Sequence, residues 1–477
     1  MSSRVTFLRA STFVLVVSAA VSCGADVIHL KNGRKIWADH VRENGSRVEY
    51  DVGDDSYAIP KSSVASIEAG GLPPAYAAAA SGGSKDLPAF VPEDSLAGHE
   101  DLVAKVVREG KVDPDALTAL EAEGKPELSA TAYFLAGKHE FEHGNLPQAR
   151  RYLESALRFQ PDNSTILNYY AMALVRSGNA AAALPYAERS ARAKPDSADA
   201  YTVLGFVRFS ADRTKEAVQA WKRSLELRPD PVVEQYLAKA QREATTEADF
   251  SQRESSHFTL RYEGKQTSEQ LRRELIATLE SQYDDLVREL GVAPRASIPV
   301  ILYTEQAFFD VTHAPSWSGA VNDGKLRIPI NGLSSMTSEL ARVLKHELAH
   351  SFVSQAAGGR CPTWLNEGIA QAVEPKSLGS NGRRLSQLFR VQQNIPYNAL
   401  EGSFMRFSPV EAVVAYDESL AAVNYIADTY GMSDVQRILQ RLGEGSSTEA
   451  ALRATIHSDY GQLEGEIAHY LASKYGE

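Results

Sequence analysis

Three residues in one short string can do chemistry together. His346, Glu347 and His350 read H-E-x-x-H, and the apolar residues Leu340, Val343, Leu344, Leu348 and Phe352 recur around them at helical spacing. Two histidines four apart lie one turn apart on one helix face, so both imidazoles can reach a single ion. Glu347 projects beside that ion, where a carboxylate can take a proton from bound water. The chain has only two cysteines, Cys23 and Cys361, so neither a disulfide scaffold nor a cysteine zinc ribbon can form. Any metal must therefore be held by His and carboxylate. Zinc (Zn2+) suits such a set, because it accepts two nitrogens and one oxygen and keeps a fourth position open for water.

The five-residue string is short enough to arise by accident, so a third ligand is required. Glu367 supplies it, with sixteen residues between it and His350. It sits in "PTWLNEGIAQAVE", residues 362 to 374, where Pro362 and Thr363 open a second helix and Trp364, Leu365, Ile369 and Ala372 form its apolar side. Glu367 faces away from that side. The string Trp364-Leu365-Asn366-Glu367-Gly368 resembles the third-ligand helix of gluzincin metallopeptidases, the thermolysin-like MA clan that includes zinc aminopeptidases. The resemblance covers roughly residues 251 to 440. It implies that Glu367 is the third zinc ligand, and that "SGAVNDGKLRIPI" (318 to 330) lies at the cleft edge as β-partner of an extended peptide substrate. Thermolysin-like members often carry an aspartate four residues after the third ligand to orient a zinc histidine; here that position is Gln371. Further along, "VEAVVAYDESLAAVNYIADTYGM" (410 to 432) resembles the cleft-closing helix of exported peptidases. On it, Tyr416 is either a donor to the oxyanion formed when water attacks the scissile carbonyl or an ordinary buried tyrosine. His313 is a second, weaker candidate for that role.

These residues need elements to hold them. From residue 251 the pattern alternates between strands ("HFTLRYE", "SIPVILY", "GKLRIPI") and a long amphipathic helix over 268 to 290. Residues 251–477 thus read as an α+β zincin-like peptidase domain with a helical C-terminal lobe. Ahead of it, Pro161, Pro195 and Pro229 recur every 34 residues, the tetratricopeptide period. Small and large residues fall at matching repeat positions, among them Gly137 and Leu153, Ala171 and Ala187, Gly205 and Trp221. The segment 130–247 therefore reads as an all-α solenoid of tetratricopeptide repeats plus a capping helix, with 94–129 a degenerate helical pair. Such arrays bind partner proteins along a concave face, or serve as spacers. Residues 26–69 form a meander of short strands around Asn32-Gly33, Asn44-Gly45 and Gly53, resembling the small barrel modules of exported bacterial proteins. Residues 70–93, rich in Gly, Ala, Pro and Ser, read as a flexible linker.

The first 25 residues hold two arginines, an apolar run too short for a comfortable span, and then small residues, which is a secretory signal pattern. Two processing sites compete: cleavage after Ala25, or lipidation at Cys23 in Ala20-Val21-Ser22-Cys23. No later segment has spanning length, so an exported mature chain without a transmembrane helix is expected, in the periplasm or cell envelope, secreted or lipid-anchored. Acidic residues outnumber basic ones 61 to 50, a net charge of −11, which argues against a nucleic-acid partner. The expected function is a multidomain zinc metallopeptidase hydrolysing peptide or protein substrates, with partners on the repeats. The alternatives are a catalytically idle repeat scaffold, or a zinc hydrolase of a non-peptide amide such as a cell-wall bond.

Overall fold

The structure is a computed structural model that describes residues 25–31, 35–38, 40–52, 55–71, 100–108, 110–312, 320–330, 332–374, 376–404, 407 and 409–476. The expected signal segment with Cys23, most of the expected linker, and the loop carrying His313 lie outside the described residues. The chain divides into two compact units, Met1–Leu72 and Pro73–Glu477.

In the first unit, β1 (Ala25–Leu30) pairs antiparallel with β2 (Lys35–Ala38) and β6 (Val64–Gly71), while β3 (His40–Asn44), β4 (Arg47–Val52) and β5 (Asp55–Pro60) form a second antiparallel sheet. Gly45 at φ +59° makes the turn between β3 and β4, and Ile28 and Val48 are fully buried. The sequence pattern marks strands at Val27 to Leu30, Arg47 to Val52, Ser56 to Ile59 and Val64 to Ile67; β2 and β3 are additional to these, and β6 runs into the first two residues assigned to the linker.

The second unit is mostly helical. Helices α1 (Glu100–Val106) and α2 (Pro114–Ala122) flank a two-residue hairpin, β7 (Val107–Arg108) with β8 (Lys111–Val112). Three antiparallel helix pairs follow: α3 (Pro126–Glu142) with α4 (Leu146–Phe159), α5 (Ser164–Arg176) with α6 (Ala180–Ala193), and α7 (Ala198–Ser210) with α8 (Thr214–Leu227), closed by α9 (Pro231–Thr246). The repeat's small-against-large pairing has a direct cause. A Cβ on Gly205 would stand 2.2 Å from Nε1 of Trp221, so only glycine lets α7 reach the fully buried indole. Asn163 and Ser197 cap α5 and α7, each side chain accepting from the backbone N–H three residues on. Residues 165 to 175 of α5 are buried without a break, which encloses the middle of the array on both faces.

Next comes a five-stranded mixed sheet in the order β12-β13-β11-β10-β9. Strands β10 (Phe258–Tyr262), β11 (Ile298–Tyr303) and β13 (Leu326–Pro329) are parallel; β9 (Ser251–Glu254) and β12 (Val321–Asn322) are antiparallel edges. Helix α10 (Glu269–Leu290) crosses between β10 and β11, capped by Ser268 and ended by Gly291 at φ +66°. Helix α11 (Glu305–Thr312) follows β11. Two helices then carry the candidate site, α12 (Ser338–Ala357) and α13 (Thr363–Val373). Thr337 caps α12, and Gly358 and Gly359, both at positive φ, turn the chain back toward α13. The lobe beyond consists of α14 (Asn381–Arg390), α15 (Pro409–Tyr430), α16 (Met432–Gly443), α17 (Thr448–Ile456) and α18 (Tyr460–Tyr475). Among the described residues no helix is long and apolar enough to cross a membrane.

Candidate metal centre

Helix α12 buries its apolar side with Leu344, Leu348 and Phe352 and so fixes the opposite rotational setting of His346, Glu347 and His350. On α13, Trp364 and Leu365 are fully buried and Gly368 packs directly on α15, which turns Glu367 toward α12. One ligand atom from each of His346, His350 and Glu367 lies within 4.8 Å of the others. Glu367 Oε2 stands 3.7 Å from His346 Nε2 and 3.8 Å from His350 Nε2, and the two imidazoles meet at 83° with centroids 4.9 Å apart. All three side chains are at most 2% exposed.

Burying such groups without partners is costly, yet among the described residues no hydrogen bond reaches Nε2 of either histidine, either oxygen of Glu367, or either oxygen of Glu347. Convergent orphaned donors of this kind fit a cation that accepts two nitrogens and a carboxylate, which is zinc's preference. The electrostatics agree. Burial alone would lower the His346 ring, but Glu374 and Glu367, helped by Glu347, push it up to about 10. The pocket thus favours positive charge. Burial also lifts the Glu347 carboxyl, with Glu367 and Glu374 adding to it and His346 opposing, to about 8. His350 is pulled below its usual value by burial.

Both histidines have a second contact that orients the ring. His350 Nδ1 is 3.0 Å from Asn366 Oδ1, so an N–H on that nitrogen leaves Nε2 with a lone pair toward the cluster. His346 Nδ1 stands 3.5 Å from Glu374 Oε1, and the other oxygen of Glu374 accepts from Arg342 Nη1 at 2.8 Å. The carboxylate expected four residues after Glu367 is therefore supplied seven residues after it. Gln371 is turned elsewhere, donating to the carbonyls of Glu367 and Tyr416 and accepting from Lys376. Spacing held a signal for Glu374, because positions seven apart on a helix share a face.

The edge strand β12 reaches the same place. Asn322 Nδ2 donates to the Glu347 backbone carbonyl at 2.6 Å and to Ser351 Oγ at 2.8 Å. The expected β-partner segment is thus a hairpin with β12, not β13, at the sheet edge. Tyr416 lies on α15, buried, with its ring edge-on to Phe404 at 5.2 Å and its carbonyl bonded to Gln371.

Two known families match parts of the chain. Residues 281–473 match the family described as Peptidase MA superfamily, and residues 114–164 and 170–231 match the Tetratricopeptide repeat. The chain therefore contains a Peptidase MA superfamily domain preceded by tetratricopeptide repeats. No curated protein matches it. Solved structures that overlap it include MamA 41-end from Desulfovibrio magneticus RS-1, 20% identical over 28% of this chain and 75% of its own, with a TM-score of 0.25. A MamA of AMB-1 is 22% identical over 27% of this chain and 78% of its own, TM-score 0.24. A Thermobaculum terrenum O-GlcNAc transferase mutant is 12% identical over 74% of this chain and 98% of its own, TM-score 0.24.

Proposed function

We propose that this chain is an exported zinc-dependent metallopeptidase of the gluzincin type. The observation that carries the reading is the buried convergence of His346, His350 and Glu367 within 4.8 Å, with no hydrogen bond to either Nε2 or to the Glu367 oxygens, beside a second unpartnered carboxylate on Glu347. Zinc held by the first three would polarise a scissile carbonyl and acidify water. Glu347 is the general base: it takes the proton from the attacking water and passes it to the departing amine nitrogen. A buried carboxyl lifted toward neutral pH is matched to both halves of that transfer, and general acid–base catalysis contributes about 10²–10⁴-fold. Asn366 and Glu374 keep the two imidazoles in the ligating orientation. An extended peptide pairs with the β12 edge, beside the Glu347 turn of α12, and Tyr416 is the proposed donor to the oxyanion. The repeats carry a protein partner, and the N-terminal segment directs export.

The test is Glu347→Gln in the full chain. It should lose peptide hydrolysis by at least about 10²-fold while keeping its metal. Unchanged turnover would exclude Glu347 as the base.

A further inference from the structure

The repeat array and the peptidase domain share a buried ion cluster, and its far end touches the candidate site. Glu243, on the closing helix α9 of the array, is fully buried. One of its oxygens accepts from Thr214 Oγ1 at 2.6 Å and pairs with Lys325; the other accepts from Arg327 Nη2 at 2.7 Å. Lys325 also meets Asp212 Oδ1 at 2.8 Å, in the turn of the third repeat. Arg327, 1% exposed, donates to Tyr303 Oη at 2.8 Å and to Asp323 Oδ1 at 3.0 Å, and Asp323 in turn pairs with Lys239 of α9 at 3.3 Å. Arg261 of β10 bonds to Asp212 and to Glu247, the latter at 3.1 Å. Four carboxylates thus face four cations across the junction.

Asp323, Lys325 and Arg327 all belong to the β12–β13 hairpin. That hairpin also contains Asn322, which bonds to the carbonyl of Glu347 and to Ser351 and accepts from Gly324 N–H at 3.1 Å. A two-residue edge strand has little pairing of its own to fix its place. It is held from one side by the array and from the other by the helix of the site. Buried ion clusters stabilise little beyond what well-packed apolar residues of the same volume would, but they can fix a single register.

We infer that Glu243 is a positioning residue for the candidate site, holding the β12–β13 hairpin through Lys325 and Arg327 so that Asn322 keeps the Glu347 turn of α12 and the edge strand in one arrangement. The array is then a built-in wall of the peptidase domain, not an arm that moves independently of it. This inference takes Glu347 as the base from the proposed function, but its test requires no catalysis.

The test is amide hydrogen exchange, read by mass spectrometry on the full chain at neutral pH well below melting, for wild type and Glu243→Gln. The isosteric amide removes the charge and keeps the volume. Exchange should rise about tenfold in the segments 320–327 and 346–352 and stay at the wild-type rate in 460–475. A rise confined to 231–246 and 323–327, with 346–352 unchanged, would overturn the inference. So would a uniform rise reaching 460–475, which would mean that Glu243 acts only through global stability. If Glu243→Gln does not fold, Lys325→Met serves instead, because it removes one of the two cations through which Glu243 holds the hairpin; it should raise exchange in the same two segments by about threefold, and no change in 346–352 would refute the inference equally. Absence of peptidase activity in the wild type would refute the proposed function and leave this readout intact.

Discussion

Gly368 follows the third candidate ligand directly, and the structure says what a single methyl group there would do. A Cβ on Gly368 would stand 2.2 Å from the Ser419 carbonyl oxygen and 2.6 Å from Val423 Cγ2, both on α15. Ordinary contact begins at about 3.4 Å, so Gly368→Ala must open the α13–α15 contact by about 1 Å. Overpacking of this kind costs about 1–3 kcal/mol, and the better helix propensity of alanine returns about 1 kcal/mol. The net expectation is destabilisation by up to about 2 kcal/mol. The same shift displaces Glu367, and metal sites tolerate only about 0.2 Å in ligand distance, so zinc affinity should fall by at least about tenfold. Gly465 on α18 provides the internal comparison, because a Cβ there meets nothing within 4 Å. Gly465→Ala should stabilise the chain by about 0.4–1 kcal/mol and leave zinc affinity unchanged. Urea denaturation of the two variants, with zinc affinity from chelator competition, decides the matter. If Gly368→Ala is as stable as Gly465→Ala and binds zinc like wild type, the close approach of α13 to α15 does not position Glu367 and the reasoning fails.

Two further outcomes follow from the ion cluster. Burial would raise Glu243, but Arg327 and Lys325 hold it well below the usual carboxylate range, at about 2. A depressed carboxylate stabilises the fold above its unfolded pKa and loses that contribution as pH falls toward the folded value; here this is about 3 kcal/mol, of which about 2 is gone at pH 3. The stability difference between wild type and Glu243→Gln, measured by urea denaturation, should therefore shrink by about 2 kcal/mol from pH 6 to pH 3, and a pH-independent difference would contradict this. Deleting residues 94–247 strips Lys325 and Arg261 of their counter-charges and leaves Arg327 with Asp323 alone. The truncated chain should not fold cooperatively by circular dichroism, and a stable, folded remnant would show that the cluster is dispensable.

The repeats were legible because their constraint is periodic: a small residue opposite a large one every 34 positions, as at Gly205 and Trp221. The candidate residues His346, Glu347 and His350 were legible because helical spacing puts two histidines on one face, whereas Glu367 was legible through the resemblance of the string around it. The residues that orient the histidines were less so. Asn366 was visible only as part of a motif, and attention to position 371 hid Glu374, one turn further along the same face. Strands β2, β3, β9 and β12 are short or rich in charged residues ("HVREN", "SQRE") and are defined by their pairing partners more than by alternation. The junction could not be read at all. Glu243 and Lys325 are 82 positions apart, and each looks like a surface charge until the array and the sheet are placed together.

The measurement that bears most directly on the central claim is the zinc content of the purified chain beside a Glu367→Ala variant. The account predicts about one zinc per chain in the wild type and its loss in the variant. A wild-type chain that takes up no zinc when zinc is supplied, or a variant that keeps it, would contradict a site built from His346, His350 and Glu367.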